Sequence, residues 1–156
     1  MGVPSLTLDA LLKDIAAPVS AELAAVAPAD VVLDSRLVKA GDLFVAVPGV
    51  DGDGRHFVEG ALSAGASSVL AEAIEFQSND PRVIAIPNLR AYCGLIARRF
   101  YRNPSSEMAI TAVTGTNGKT SVTDYIAQLL RLLGQPAGII GTLGSRLVSG
   151  DVSDAV

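Results

Sequence analysis

The spacing of apolar residues changes along the chain, and each change predicts an element. Leu8, Leu11, Leu12 and Ile15 recur at i, i+3, i+4 and i+7 behind the candidate caps Ser5 and Thr7, which predicts a short amphipathic helix ended by Pro18. Residues 31–33 and 43–47 are valine-rich runs, and the turn signals Lys39-Ala40-Gly41 and Pro48-Gly49 bracket the second. Both read as strands. Residues 57–64 read as a helix with Gly65 at its C′ position, followed by an apolar strand at 68–71. A further strand is expected at 82–86, between Pro81 and Pro87. Leu89, Tyr92, Cys93, Ile96, Ala97 and Phe100 give residues 89–101 a helical stripe.

Asn103-Pro104-Ser105-Ser106 concentrates turn formers, and we place a domain boundary there, dividing residues 1–104 from 105–156. Beyond it, 108–113 is an unbroken apolar-and-threonine run suited to the middle of a parallel sheet. Residues 114–118 form a tight loop, 119–133 a helix capped by Gly134, and 137–140 another strand. Strand, loop, helix and strand in that order build doubly wound α/β domains. One such unit cannot cover both faces of a parallel sheet, and residues 149–156 are small and polar. The expectation is therefore a second domain that is only begun here.

Composition narrows the function. With 12 basic and 16 acidic residues the formal charge is −4, and 49% of residues are hydrophobic, so the chain is expected to fold rather than to remain disordered. An acidic balance disfavours nucleic acid, which selects a basic stripe. The nearest approach to one, Arg98, Arg99 and Arg102, reads as the solvated face of a helix. A single cysteine, Cys93, excludes an intramolecular disulfide and a Cys-based zinc cluster, and among apolar neighbours it reads as core. His56 is the only histidine, leaving little for a metal site or a Ser/His/Asp triad. The longest stretch without Asp, Glu, Lys or Arg, residues 132–145, is interrupted by Pro136 and several glycines and is shorter than the ~18 residues of a spanning helix. The N-terminal segment carries Asp9, Lys13, Asp14 and Glu22, which breaks any signal-peptide core. A soluble, cytoplasmic protein with no membrane insertion is expected.

Chemistry enters at Thr114-Gly115-Thr116-Asn117-Gly118-Lys119-Thr120, between the predicted strand and helix. Glycines at 115 and 118 allow positive φ and close approach of the backbone to an anion, so successive N–H groups and the helix dipole can face phosphate. Lys119 can extend along the phosphates to neutralise β and γ oxygens, and the Thr120 hydroxyl is placed to ligate Mg2+. The common loop of this type has four residues between its glycines, whereas Val113 stands at the first glycine position and Gly115 leaves two. The loop must therefore have a variant shape. A Gly-x-x-Gly-Lys-[Ser/Thr] string arises by chance in roughly 1% of chains of this length, so phosphate binding is the stronger reading. The fold class that follows is α/β: a small N-terminal α/β substrate domain, then the start of a P-loop parallel-sheet ATPase domain.

This loop resembles the ATP loop of the Mur ligases and folylpolyglutamate synthetases. Upstream, Leu33-Asp34-Ser35-Arg36, the Gly-Asp-Leu-Phe-Val-Ala string at 41–46, and Asp53-Gly54-Arg55 followed by Phe57 resemble the N-terminal domain of a Mur ligase. Gly60-Ala61 and Gly65-Ala66 continue the pattern. The likeness runs from about Leu33 onward and, with Gly141-Thr142-Leu143-Gly144, leans to the branch that adds the third amino acid to UDP-N-acetylmuramoyl-L-alanyl-D-glutamate. It implies that Leu33 and Ser35 contact the uridine end of that nucleotide-sugar, and that Val50, Asp51 and Gly52 lie in a loop contacting the same substrate. Val50 replaces a residue that is commonly polar, which leaves backbone contact there. The likeness further implies that Gly115, Thr116, Asn117, Gly118, Lys119, Thr120 and Ser121 contact ATP, with Lys119 catalytic and Thr120 the magnesium ligand. For Asp34, Arg36, Asp53 and Arg55, a loop ion pair and a substrate contact both stay open.

The implied reaction is ATP-dependent amide formation in peptidoglycan precursor synthesis. The γ-phosphoryl group passes to the D-glutamate carboxylate, and an amino acid, with meso-diaminopimelate favoured over L-lysine, attacks the acyl phosphate. ATP and Mg2+ are the implied cofactors. The acidic metal ligand, carbamylated lysine and amino-acid-binding domain of the family have no counterpart before Val156, so this chain alone is expected to be inactive. The alternatives are the branch that adds D-alanyl-D-alanine and a noncatalytic nucleotide-sugar-binding module.

Overall fold

The valine-rich runs of the first hundred residues pair into one sheet. Its strands are β1 (Val31–Val32), β2 (Leu43–Ala46), β3 (Ser68–Glu72) and β4 (Val83–Ile86), all parallel and in chain order. The structure, a computed structural model, describes residues 6–16, 19–49 and 52–148. It divides into two compact units, Met1–Met108 and Ala109–Val156.

Helices cover both faces of the sheet. On one, Leu43, Val45, Leu70, Ile84 and Ile86 meet α1 (Leu8–Leu12), α2 (Ala21–Ala24) and α4 (Leu89–Phe100) through Leu8, Leu11, Leu12, Leu23, Leu89 and Ile96. On the other, Phe44, Ala46, Val69 and Ala71 meet α3 (Val58–Ser63) and the turn that follows it through Val58, Ala61 and Ala66. Alternate residues of β2 and β3 thus enter opposite cores. This is why both strands are buried along their whole length and read as unbroken apolar runs.

The local chemistry of the helix ends differs from the expectations. Thr7 takes the N-cap backbone conformation of α1 but its side chain makes no cap bond, and Ser5 and Pro18 lie outside the described residues. α1 stops at Leu12 because Asp14 adopts φ 62°, and the turn this makes returns Ile15 to the core. The short helix α2 was not predicted; Ser20 caps it, accepting from the Leu23 amide at 3.3 Å, and it buries Leu23. The helix predicted from residue 57 opens as a 3-10 turn, Gly54–Phe57, before α3. Arg99 departs from the solvated-face reading of its trio. Its Nη1 donates to the Leu11 carbonyl at 2.8 Å and the Lys13 carbonyl at 2.6 Å, so it ties α4 to the end of α1.

The second unit corrects the predicted strand–loop–helix–strand arrangement. α5 (Lys119–Leu132) forms as expected, but residues 108–113 enter no ladder, and Ile110 is 71% exposed. β5 (Ala137–Gly141) pairs antiparallel with β6 (Gly144–Val148), a strand the hydrophobic pattern did not reveal. A strand needs a partner as well as composition, and the Thr142-Leu143 turn supplies β5 with a local one. Among the described residues of this unit only Ala127 is fully buried; Tyr125, Leu129, Leu132, Ile140 and Leu147 are exposed. No described helix is long and apolar enough to cross a membrane.

Candidate functional site

In an open parallel sheet, ligands gather at the carboxyl ends of the strands, where loops diverge to opposite faces. Leu33 and Ser35 follow β1, and Gly52 follows its neighbour β2, so the topology brings these three predicted substrate contacts to one edge. Leu33 is 58% exposed there. Val50 and Asp51 lie outside the described residues.

This edge is braced by a repeated device. In Asp34-Ser35-Arg36 the Asp34 carboxylate accepts from the Arg36 amide at 3.0 Å and from its Nη2 at 2.6 Å. In Asp53-Gly54-Arg55 the corresponding bonds are 2.9 and 2.6 Å. Asp80-Pro81-Arg82, ahead of β4, repeats the geometry at 2.9 and 2.7 Å. Each aspartate closes an Asx-type turn and grips the guanidinium two residues on. Of the two readings open for Asp34 and Asp53, the loop ion pair is present at both, and each is a local staple. Sequence reasoning missed the third, although the Asp-x-Arg spacing was its signal. Arg55 reaches further and also donates from Nη1 to the Ile74 carbonyl, joining the loop after β2 to the segment after β3.

The arginine hydrogen bonds hold the carboxyls of Asp34, Asp53 and Asp80 down to about 2. A carboxylate depressed below its unfolded value of about 3.9 stabilises the fold above that pH, and the stabilisation disappears as pH falls toward the folded value. We expect carbon-13 titration of the aspartate carboxyls to show these midpoints near 2, with Asp53 returning to the ordinary range in Arg55→Ala. A midpoint near 4 for Asp53 in the parent chain would contradict the staple.

The phosphate-loop candidate lies in the second unit. Gly115 has φ 149° and Gly118 φ 75°, and Gly118 is the N-cap of α5 without any side-chain cap bond. The first-turn amides of a helix have no intrahelical acceptor, so a glycine cap leaves them free to face an anion. Residues 114–121 are all exposed. Lys119 does not extend outward. Its ammonium folds back onto the loop, donating to the Gly115 carbonyl at 2.6 Å and the Thr116 carbonyl at 3.4 Å, which concentrates the positive charge over residues 115–116. Thr123 Oγ1 donates to the carbonyls of Lys119 and Thr120, tightening the first turn.

Among the described residues no three His, Cys, Asp or Glu side chains converge as a metal cage. Mg2+ is commonly held by one or two protein oxygens with substrate phosphates and water, and the Thr120 hydroxyl in the first turn of α5 suits that role. Apart from this loop, an open cleft of about 360 Å³ is bordered by Arg55, His56, Glu59, Phe76, Gln77 and Ser78. His56 is exposed on its rim. Cys93 is half-buried, and burial pushes its thiol up, as befits a packing residue.

Two family descriptions match the chain in tandem: the Mur ligase family, catalytic domain, over residues 30–101, and the Mur ligase middle domain over 113–154. The chain belongs to the Mur ligase family. It is 48% identical over 119 residues to the UDP-N-acetylmuramoyl-L-alanyl-D-glutamate–2,6-diaminopimelate ligase of Pseudomonas aeruginosa, which covers 74% of this chain and 24% of that protein. It is 43% identical over 151 residues to the ligase of the same name from Xanthomonas oryzae pv. oryzae, covering 96% of this chain and 30% of that one. The chain thus spans less than a third of the length of these Mur ligases. A solved structure of a ligase of that name superposes with TM-score 0.66 over 92% of this chain and 29% of its own at 23% identity, a likeness of fold. The MurF ligase of Thermotoga maritima in complex with ADP matches with TM-score 0.51 and 32% identity over 67% of this chain and 23% of its own.

Proposed function

We propose that this chain supplies the nucleotide-sugar-binding domain and the ATP-binding loop of an ATP-dependent ligase that adds meso-diaminopimelate to UDP-N-acetylmuramoyl-L-alanyl-D-glutamate. The observation that carries the reading is 43–49% identity to ligases of that name, the 43% match running over 96% of the chain and so through both the sheet edge and the loop. In this reading, residues 1–104 bind the nucleotide-sugar through Leu33, Ser35, Val50, Asp51 and Gly52. Residues 105–156 begin the ATP-binding domain, with Gly115, Thr116, Asn117, Gly118, Lys119, Thr120 and Ser121 around the triphosphate.

A carboxylate is a poor electrophile, so the D-glutamate carboxylate is first phosphorylated by ATP. The amine of the incoming amino acid then attacks the acyl phosphate, phosphate leaves, and ADP remains. Two anions must meet for the first step. The Lys119 ammonium lowers that barrier electrostatically, and the α5 amides bind phosphate oxygens at fixed positions. Mg2+, held by Thr120 with phosphate oxygens, would add neutralising charge. ADP bound to a MurF ligase supports the nucleotide assignment.

Isothermal calorimetry of this chain against UDP-N-acetylmuramoyl-L-alanyl-D-glutamate tests the first half. We expect saturable heat; none at high ligand concentration would refute the nucleotide-sugar assignment. In a full-length ligase carrying these residues, phosphate release should require this nucleotide-sugar and diaminopimelate. Release only with the tripeptide nucleotide and D-alanyl-D-alanine would move the chain to the MurF branch.

A further inference from the structure

The loop after β2 is held from a direction that its own sequence does not reveal. Arg90, in the first turn of α4, donates from Nη2 to the Pro48 carbonyl, although β3 separates β2 from β4 in the sheet. The base of this arm is fixed. The buried Glu72 carboxylate, at the end of β3, accepts from the Asn88 and Leu89 amides, each at 2.9 Å, and so pins the start of α4 to the sheet. Asn88 adopts φ 56° to enter the helix, and Leu89 is fully buried beside Arg90.

At the other end of the arm, Pro48 forms a bridge with Asp53, and the Gly49 amide donates to the Gly52 carbonyl at 2.6 Å. The far flank is tied down by Arg55, which grips Asp53 and the Ile74 carbonyl. Two guanidinium groups therefore clamp the described shoulders of the loop, one from the first turn of α4 and one from within the loop. Both anchor it to residues that follow other strands.

We infer that Arg90 is a positioning residue of the nucleotide-sugar site, holding Pro48 so that Gly52 stays in register with Leu33 and Ser35 at the sheet edge. The inference rests on the proposed nucleotide-sugar reading of that edge. Arg90 acts through the loop and does not touch the ligand.

The test combines calorimetry with amide hydrogen exchange on the 156-residue chain, its Arg90→Ala variant and its Arg90→Lys variant. Circular dichroism first confirms that each is folded. With Arg90→Ala, the Gly49 and Gly54 amides should exchange faster while the sheet amide of Val69 is unchanged. Affinity for UDP-N-acetylmuramoyl-L-alanyl-D-glutamate should fall about tenfold, the scale of one lost charge-assisted bond. Arg90→Lys, which keeps a cationic donor, should recover most of both. Unchanged exchange at Gly49 and Gly54 overturns the inference, including where affinity falls, because that pattern means direct ligand contact. Faster exchange with unchanged affinity also overturns it. A parent chain that takes up no nucleotide-sugar overturns the functional reading and this inference together, whereas a parent that binds alongside an indifferent Arg90→Ala overturns this inference alone.

Discussion

Replacing Lys119 with alanine should lower ATP-dependent phosphate release by a full-length ligase carrying these residues by about a hundredfold to a thousandfold, the usual cost of removing one group that stabilises developing charge. The expectation follows from where the charge is held. The ammonium lies over the Gly115 and Thr116 carbonyls, beside a helix N-terminus with no side-chain cap. Its own bonds are short-range and exposed, so removing them should change folding stability by no more than about 0.5 kcal/mol. The measurement is kcat for phosphate release with nucleotide-sugar and diaminopimelate, paired with a denaturant midpoint. A variant that keeps the parent rate would favour a module that binds nucleotide-sugar without catalysis. A variant that unfolds would show that the loop needs its lysine for structure.

That the loop was legible in sequence has a simple cause. Its turn uses backbone conformations that only glycine adopts cheaply, so the residue types at 115 and 118 announce the geometry. The same holds for the four strands of the first unit. β2 and β3 enter two cores at once, and only an unbroken apolar run satisfies both faces. Where legibility failed, the missing information was a partner. Residues 108–113 have the composition of a buried strand, but among the described residues no strand pairs with them, and composition does not supply one. Gly141-Thr142-Leu143-Gly144 was read as a family signature when it is also the turn that folds β6 onto β5. Arg99 and Arg90 carry charge that the sequence shows and reach that it does not; each spans to a carbonyl far away in the chain. The Asp-x-Arg staples lie between these cases, since their spacing is local and visible but their closure depends on the turn each aspartate forms.

The sheet edge makes a second strong expectation, at Gly54. Its amide donates to the Val47 carbonyl at 3.1 Å, and a Cβ there would stand 2.8 Å from that same oxygen, 3.1 Å from the Val47 nitrogen and 3.3 Å from the Ala46 Cα. All three are backbone atoms. Ala46 is fully buried and paired with Ala71 in the ladder, so the strand cannot yield without disturbing its neighbour. Gly54→Ala should therefore cost about 1–3 kcal/mol of stability, the range for forcing extra volume into a packed site. It should also weaken nucleotide-sugar binding, because Asp53 and Arg55 can no longer close on both sides of it. Gly52→Ala provides the contrast. A Cβ at Gly52 meets nothing within 4 Å, so stability should hold, and any loss of affinity reports the close approach of ligand to that backbone. Urea unfolding and calorimetry of the two variants separate the effects. An unchanged urea midpoint for Gly54→Ala would mean that the loop relaxes freely, and the clamped edge would no longer explain how the site is held.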